Sequence, residues 1–164
     1  MMSSRAASGI RFTDCVFQTC GPGFNNYWQV RIKNVLAVVN PDAVVIDLGI
    51  NDTNTQGTCD MPGWACYGQK IDWLLALLPS TVPVFWTNLP CSLEPADLLT
   101  ACRTVNTALA AAPGRHPNLH VLNWDLRAFG HPTWMQPHSV HLTTAGYTEW
   151  AALVVGALDV GLPK

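Results

Sequence analysis

The chain has 164 residues, 49% of them hydrophobic and 12% charged, with a formal net charge of −2. That length suits one domain with a proper core rather than two, and the apolar balance excludes a disordered chain. The charge supplies no basic footprint for nucleic acid or for an anionic membrane, and no apolar run approaches the ~20 residues needed to span a bilayer.

In chain order, Ile10 to Phe17 alternates and carries Ile, Phe, Val and Phe, which predicts a strand. Thr19-Cys20-Gly21-Pro22-Gly23 is a turn cluster. Asn25 to Val39 has Trp28, Ile32, Val35, Leu36 and Val39 at helical spacing, and Asn40-Pro41-Asp42 ends that helix. Ala43 to Gly49 is a short continuous apolar run, the kind buried on both faces of a parallel sheet. A polar loop follows to about Trp64. Tyr67 to Leu78 reads as a helix, Val82 to Thr87 as a strand, Glu94 to Ala112 as an Ala- and Leu-rich helix, and Leu119 to Asn123 as a further strand. Thr143 to Leu158 is the last helix, with Thr143 or Thr144 as its N-cap. Alternation of this kind predicts one α/β domain over residues 1–164, a parallel sheet with helices on both faces. Functional groups are then expected at the carboxyl ends of the strands.

Six cysteines fall into three short-range couples, Cys15 with Cys20, Cys59 with Cys66 and Cys91 with Cys102. None has the spacing of a zinc or redox motif, and six cysteines allow fifteen pairings. An even count in local couples favours an oxidising compartment, extracellular or in the cell envelope. No apolar segment of a signal peptide follows Met1-Met2-Ser3-Ser4-Arg5, so the natural N-terminus is expected upstream. Of the tryptophans, Trp28, Trp73 and Trp150 lie at core spacing on helices. Trp64 and Trp134 fall in loops at the presumed active face, where each is either a loop anchor or part of a sugar-stacking or acyl-binding wall.

Two stretches carry the chemistry. Asp47-Leu-Gly-Ile-Asn-Asp-Thr-Asn54 places polar groups at the tip of a buried strand; taken alone, Asn51 and Asp52 are equally a strand-ending turn. Gln136-Pro-His-Ser-Val-His-Leu-Thr-Thr-Ala-Gly-Tyr147 places His141 just before a helix N-cap, in a loop facing the strand ends, where an imidazole is placed for proton transfer near neutral pH.

Together these stretches resemble the SGNH (GDSL-type) hydrolases. Gly49-Ile50-Asn51-Asp52 matches the family's Gly-x-Asn-Asp block, and His141-Leu142-Thr143-Thr144-Ala145-Gly146-Tyr147 matches the start of its final helix. Gly21 is the best match to the glycine after the second strand, with Gly23 second. The likeness runs from about Gly9 to Leu158. It implies a three-layer α/β/α, flavodoxin-like parallel sheet and ester hydrolysis needing no cofactor or metal. It implies that the Gly21 N–H and the Asn51 amide donate to the oxygen on which charge develops. His141 would act as the base, while Asp52 braces the loop.

The sequence also departs from the family. No Gly-Asp-Ser occurs, so the family's nucleophilic serine has no counterpart; Ser3 and Ser4 lack the strand and elbow that expose such a serine. Residues 1–8 read as the tail of a first helix whose preceding strand is absent, and a sheet edge left open there could be completed by a second copy of the chain. His138 stands where the family has the aspartate that orients the imidazole; a backbone carbonyl or Asp125 are other candidates for that role. His131, His138 and His141 give only a weak metal signal without an acidic ligand. The expected substrate is a small carboxylic or carbohydrate acetyl ester. The other reading is a non-catalytic module that binds a glycan or similar ligand around Asn51, Trp64 and Trp134.

Overall fold

The structure is a computed structural model and describes residues 27–50, 64–94, 96–137, 139 and 141–161, with backbone alone at 27–31, 64–66 and 97. The expected strand at 10–17, Gly21, Asn51, Asp52, His138 and the couple Cys15 with Cys20 lie outside these residues. So do Cys59 and the side chains of Trp28, Trp64 and Cys66. The described elements are α1 (Tyr27–Leu36), β1 (Val44–Ile46), α2 (Trp64–Leu75), β2 (Val84–Thr87), α3 (Ala96–Ala111), β3 (Leu119–Leu122), α4 (Trp124–Ala128) and α5 (Thr144–Gly161).

The three strands form one parallel sheet in the order β1-β2-β3. Its centre, Val84-Phe85-Trp86-Thr87, is buried at every position. β-branched and aromatic side chains fill a pleated surface well, and a parallel sheet must be covered on both faces. Register sorts the side chains into two sets. Val44, Val84 and Leu119 form one row, and Ile46, Trp86 and Val121 the next. Both rows join the main core with Ile71, Leu74 and Leu75 of α2 and Cys102, Val105, Ala108 and Leu109 of α3. Those helix residues recur at three- and four-residue spacing, which gives each helix one apolar face. On the other side of the sheet, α5 ends against β2, where a Cβ added to Gly161 would come within 2.7 Å of the Phe85 ring. Helices thus cover both faces, and the architecture is the expected three-layer α/β/α.

Several boundaries differ from expectation. Trp64 is the first residue of α2 rather than part of a loop, so that helix runs over 64–75 instead of 67–78. At its far end Leu77 and Leu78 bond three residues back, to Leu74 and Leu75, which tightens the last turn. α1 is shorter than the expected 25–39, because Val38 and Val39 both turn back onto the Val35 carbonyl. α3 closes in a separate 3-10 turn, Ala112–Gly114. Trp134 ends another, Pro132–Trp134, rather than lying in open loop. α4, only five residues long, is too short for a periodic pattern and escaped the sequence reading. A second hydrophobic cluster was also unforeseen: Trp124, Ala128, Met135 and Leu142, flanked by Leu93, Trp134, Trp150 and Leu153.

Candidate active site

Because the strands are parallel, the segments leaving β1, β2 and β3 emerge at one edge. On β1 this segment is Asp47 to Ile50. Gly49 is buried and has φ of 130°, a conformation that L side chains rarely adopt. That requirement explains the glycine of the Gly-x-Asn-Asp block. β2 holds β1 in place through side chains: the Trp86 indole Nε1–H donates to the Leu48 carbonyl at 3.0 Å. The Thr87 hydroxyl donates to Asp47 Oδ1 at 2.7 Å. Crowding by the surrounding protein pushes the Asp47 carboxyl above its usual range, although part of the residue reaches solvent, and the Thr87 bond pulls the other way.

The segments after β2 and β3 are laced together. Asn88 Nδ2 donates to Asn123 Oδ1 at 3.1 Å, and Asn88 Oδ1 accepts the Asp125 N–H at 2.8 Å. Asn123 is the N-cap of α4, its Oδ1 accepting the Leu126 N–H at 3.1 Å. Asp125 Oδ1 accepts the Ser92 N–H at 2.8 Å, so one oxygen of this candidate orienting acid is already engaged. From below, the Asn106 amide of α3 clasps both the N–H and the carbonyl of Leu89, at 2.8 and 2.9 Å. A disulfide joins Cys91 to Cys102, the expected couple. None of Asn88, Asn106 and Asn123 was singled out from sequence. Asn123-Trp-Asp125 does carry an N-cap signature, an asparagine ahead of an acid in the first turn, and could have been found that way.

His141 sits on a small hairpin beside this edge. The hairpin is rooted by the Met135–Leu142 antiparallel bridge. Both residues are buried against Trp124 and Ala128 of α4, the helix that opens at the carboxyl end of β3. The Gln136 N–H donates to the His141 carbonyl at 2.8 Å, and Gln136 Nε2 to the Leu142 carbonyl at 3.1 Å. The His141 N–H donates to Ser139 Oγ at 3.1 Å. His141 itself is exposed, and its main chain rather than its ring carries these bonds.

The rest of the motif follows physically. Thr143 caps α5, its Oγ1 accepting the Gly146 N–H at 3.2 Å and donating to the Thr133 carbonyl at 3.0 Å. The Thr143 N–H donates to the Trp134 carbonyl at 2.8 Å. Gly146 lets the turn and the helix meet, since a Cβ there would lie 2.2 Å from the Trp134 oxygen.

Trp134 is half-buried and nearly parallel to two rings, His131 at 4.1 Å and Trp124 at 5.8 Å between centroids. Trp124 is buried and His131 exposed, so the solvent-facing ring of this stack is the histidine. A second histidine–carboxylate contact, His116 Nε2 to Asp72 Oδ1 at 2.7 Å with Arg115 beside it, links the last turns of α2 to the segment entering β3. That is the amino edge of the sheet, away from the His141 hairpin. Among the described residues no three His, Cys, Asp or Glu side chains are grouped to hold a metal ion.

Glu94, at the end of the 3-10 turn Cys91–Leu93, has both carboxyl oxygens shielded from water without a hydrogen-bond partner. Desolvation pushes its pKa up from 4.5 to about 7. Between those values the folded protein keeps a proton that the unfolded chain releases. Stability is therefore fully present below pH 4.5 and falls as pH rises through about 7. The residue is only half-buried, which discounts the effect to roughly 1–2 kcal/mol. Glu94→Gln is expected to stabilise by that amount at pH 8 and to change little at pH 4.5. Urea melts of both proteins at the two pH values check this; parallel pH dependence would refute it.

Parallel strands with helices on both faces define a three-layer α/β fold, and its polar side chains gather at the carboxyl edge. A solved structure, the lipase/acylhydrolase from Enterococcus faecalis, is similar over 82% of this chain and 69% of that one, with a TM-score of 0.64 and 19% sequence identity. At that identity the likeness is one of fold. No protein-family model matches the chain, and no curated protein matches it. No helix among the described residues is long and apolar enough to cross a membrane.

Proposed function

We propose that the chain is an SGNH (GDSL-type) ester hydrolase, acting on a carboxylic or carbohydrate acetyl ester with His141 as its base. The observation that carries this reading is the anchored hairpin, which presents an exposed imidazole beside the carboxyl edge of a parallel sheet. The same sheet sends β1 into Gly49-Ile50-Asn51-Asp52 through a positive-φ glycine. His141 accepts a proton from the attacking nucleophile and returns it to the departing alkoxide. The Asn51 amide and the Gly21 N–H donate to the carbonyl oxygen as it gains charge. His138 takes the place of the orienting acid, and Trp64 and Trp134 flank the substrate. The Cys91–Cys102 disulfide supports an extracellular or envelope setting.

No Gly-Asp-Ser is present in the sequence, and in the reading proposed water takes the place of the serine, giving its proton to His141 as it attacks the ester carbonyl. Oxyanion donors and substrate binding alone still leave roughly 10³–10⁴-fold catalysis in serine hydrolases stripped of triad members. Weak hydrolysis of para-nitrophenyl acetate, above buffer but well below that of a complete serine esterase, is the expected result. His141→Ala should lower it at least about tenfold. An unchanged rate in His141→Ala defeats the assignment. Hydrolysis no faster than buffer favours the other reading, a glycan- or ligand-binding module on the same fold. Titration with acetylated oligosaccharides tests that alternative.

A further inference from the structure

We propose that Gln136 is the positioning residue for His141; this rests on the reading of His141 as the base. The imidazole is exposed, and its aim depends on how the main chain at residue 141 is held. Gln136 controls that main chain from two sides. Its N–H takes the carbonyl of His141 at 2.8 Å, and its side-chain amide takes the next carbonyl, that of Leu142, at 3.1 Å. The third contact also hangs from Gln136. The His141 N–H donates to Ser139 Oγ at 3.1 Å, while the Ser139 N–H donates to the Gln136 carbonyl at 3.2 Å. The N–H and carbonyl of His141 are thus both tied to Gln136 or to a residue bonded to it.

The side-chain bond is the part that sequence chemistry can vary. Among the described residues Met135 and Leu142 form the bridge at the hairpin root, closed by the Thr143 N–H on the Trp134 carbonyl and the Gln136 N–H on the His141 carbonyl. The Gln136 side-chain amide adds a third tie across the same two segments, and it is the one that holds the Leu142 carbonyl, next to His141. Glutamine is suited to this because it reaches far enough and donates without charge. A carboxylate of the same length would set a negative oxygen against a carbonyl oxygen. Displacement of a catalytic group by about 1 Å costs on the order of a hundredfold in rate, so a lost tie of this kind should be read in catalysis before it is read in stability.

Three variants test the role: Gln136→Met, which keeps length and loses the donor; Gln136→Glu, which replaces the donor with an acceptor; and Gln136→Lys, which keeps a donor. In Gln136→Met and Gln136→Glu the His141 amide should exchange its hydrogen about tenfold faster than in the parent, with strand amides of β2 and β3 unchanged. The residual ester hydrolysis should lose kcat by about ten- to a hundredfold at unaltered KM. Gln136→Lys should restore both. Unchanged exchange at His141 in Gln136→Met overturns the proposal. So does faster exchange with full kcat, provided that His141→Ala lowers hydrolysis at least about tenfold. If His141→Ala leaves hydrolysis intact, the catalytic reading fails instead, and positioning of a base fails with it. Absence of any hydrolysis in the parent has the same consequence.

Discussion

Replacing Gly146 with alanine is expected to destabilise the protein by about 3 kcal/mol. On intrinsic grounds the change should help, because alanine favours a helix interior over glycine by about 1 kcal/mol. The surroundings reverse that sign. The added methyl would lie 2.2 Å from the Trp134 carbonyl oxygen and 3.1 Å from its carbon. The first contact is with backbone, which cannot swing aside as a flexible side chain would. Relief requires moving the Pro132–Trp134 turn away from α5. That movement stretches the Thr143 N–H bond to Trp134, held at 2.8 Å, and the Thr143 hydroxyl bond to Thr133, held at 3.0 Å. Both lie at the foot of the His141 hairpin, so Gly146→Ala should also depress any activity that depends on His141. Chemical denaturation measures the loss. A variant as stable as the parent would show that the turn and α5 do not meet as described.

The second large effect belongs to the disulfide. Cys91 and Cys102 are 11 residues apart in sequence and both buried. Closing a loop of that size stabilises by about 3 kcal/mol in the chain-entropy account. Cys91→Ala/Cys102→Ala should therefore lose about that much, and the segment after β2 should loosen. It should not detach, because the Asn106 amide still holds both polar groups of Leu89 and Asp125 still accepts the Ser92 N–H. Denaturation of the parent with and without reductant, beside the double variant, checks this. A loss under about 0.5 kcal/mol would mean that the clasp by Asn106 makes the covalent link redundant.

These two cases mark where sequence reasoning reached and where it stopped. The glycine in the His141 motif was visible as a match, but its necessity comes from the carbonyl of a residue in another turn. The Cys91–Cys102 couple was visible from its short spacing, but six cysteines left the pairing open until packing joined these two. Trp134 was visible as a loop aromatic, yet its stacking on His131 and Trp124 depended on two further segments meeting it.

By itself the sequence determined the alternation of strands and helices, a cap at Thr143 or Thr144 for the last helix and the polar endings of the strands. Each rests on a period or on a neighbour a few residues away, and such signals survive without knowledge of the fold. Tertiary structure alone decided that Asn88, Asn123, Asp125 and Ser92 bind one another, that Asn106 reaches Leu89, and that Glu94 is buried without a partner. Most of these contacts join residues more than fifteen positions apart. A side chain's hydrogen-bonding partner, or its lack of one, is fixed only when packing brings distant segments together and excludes water between them.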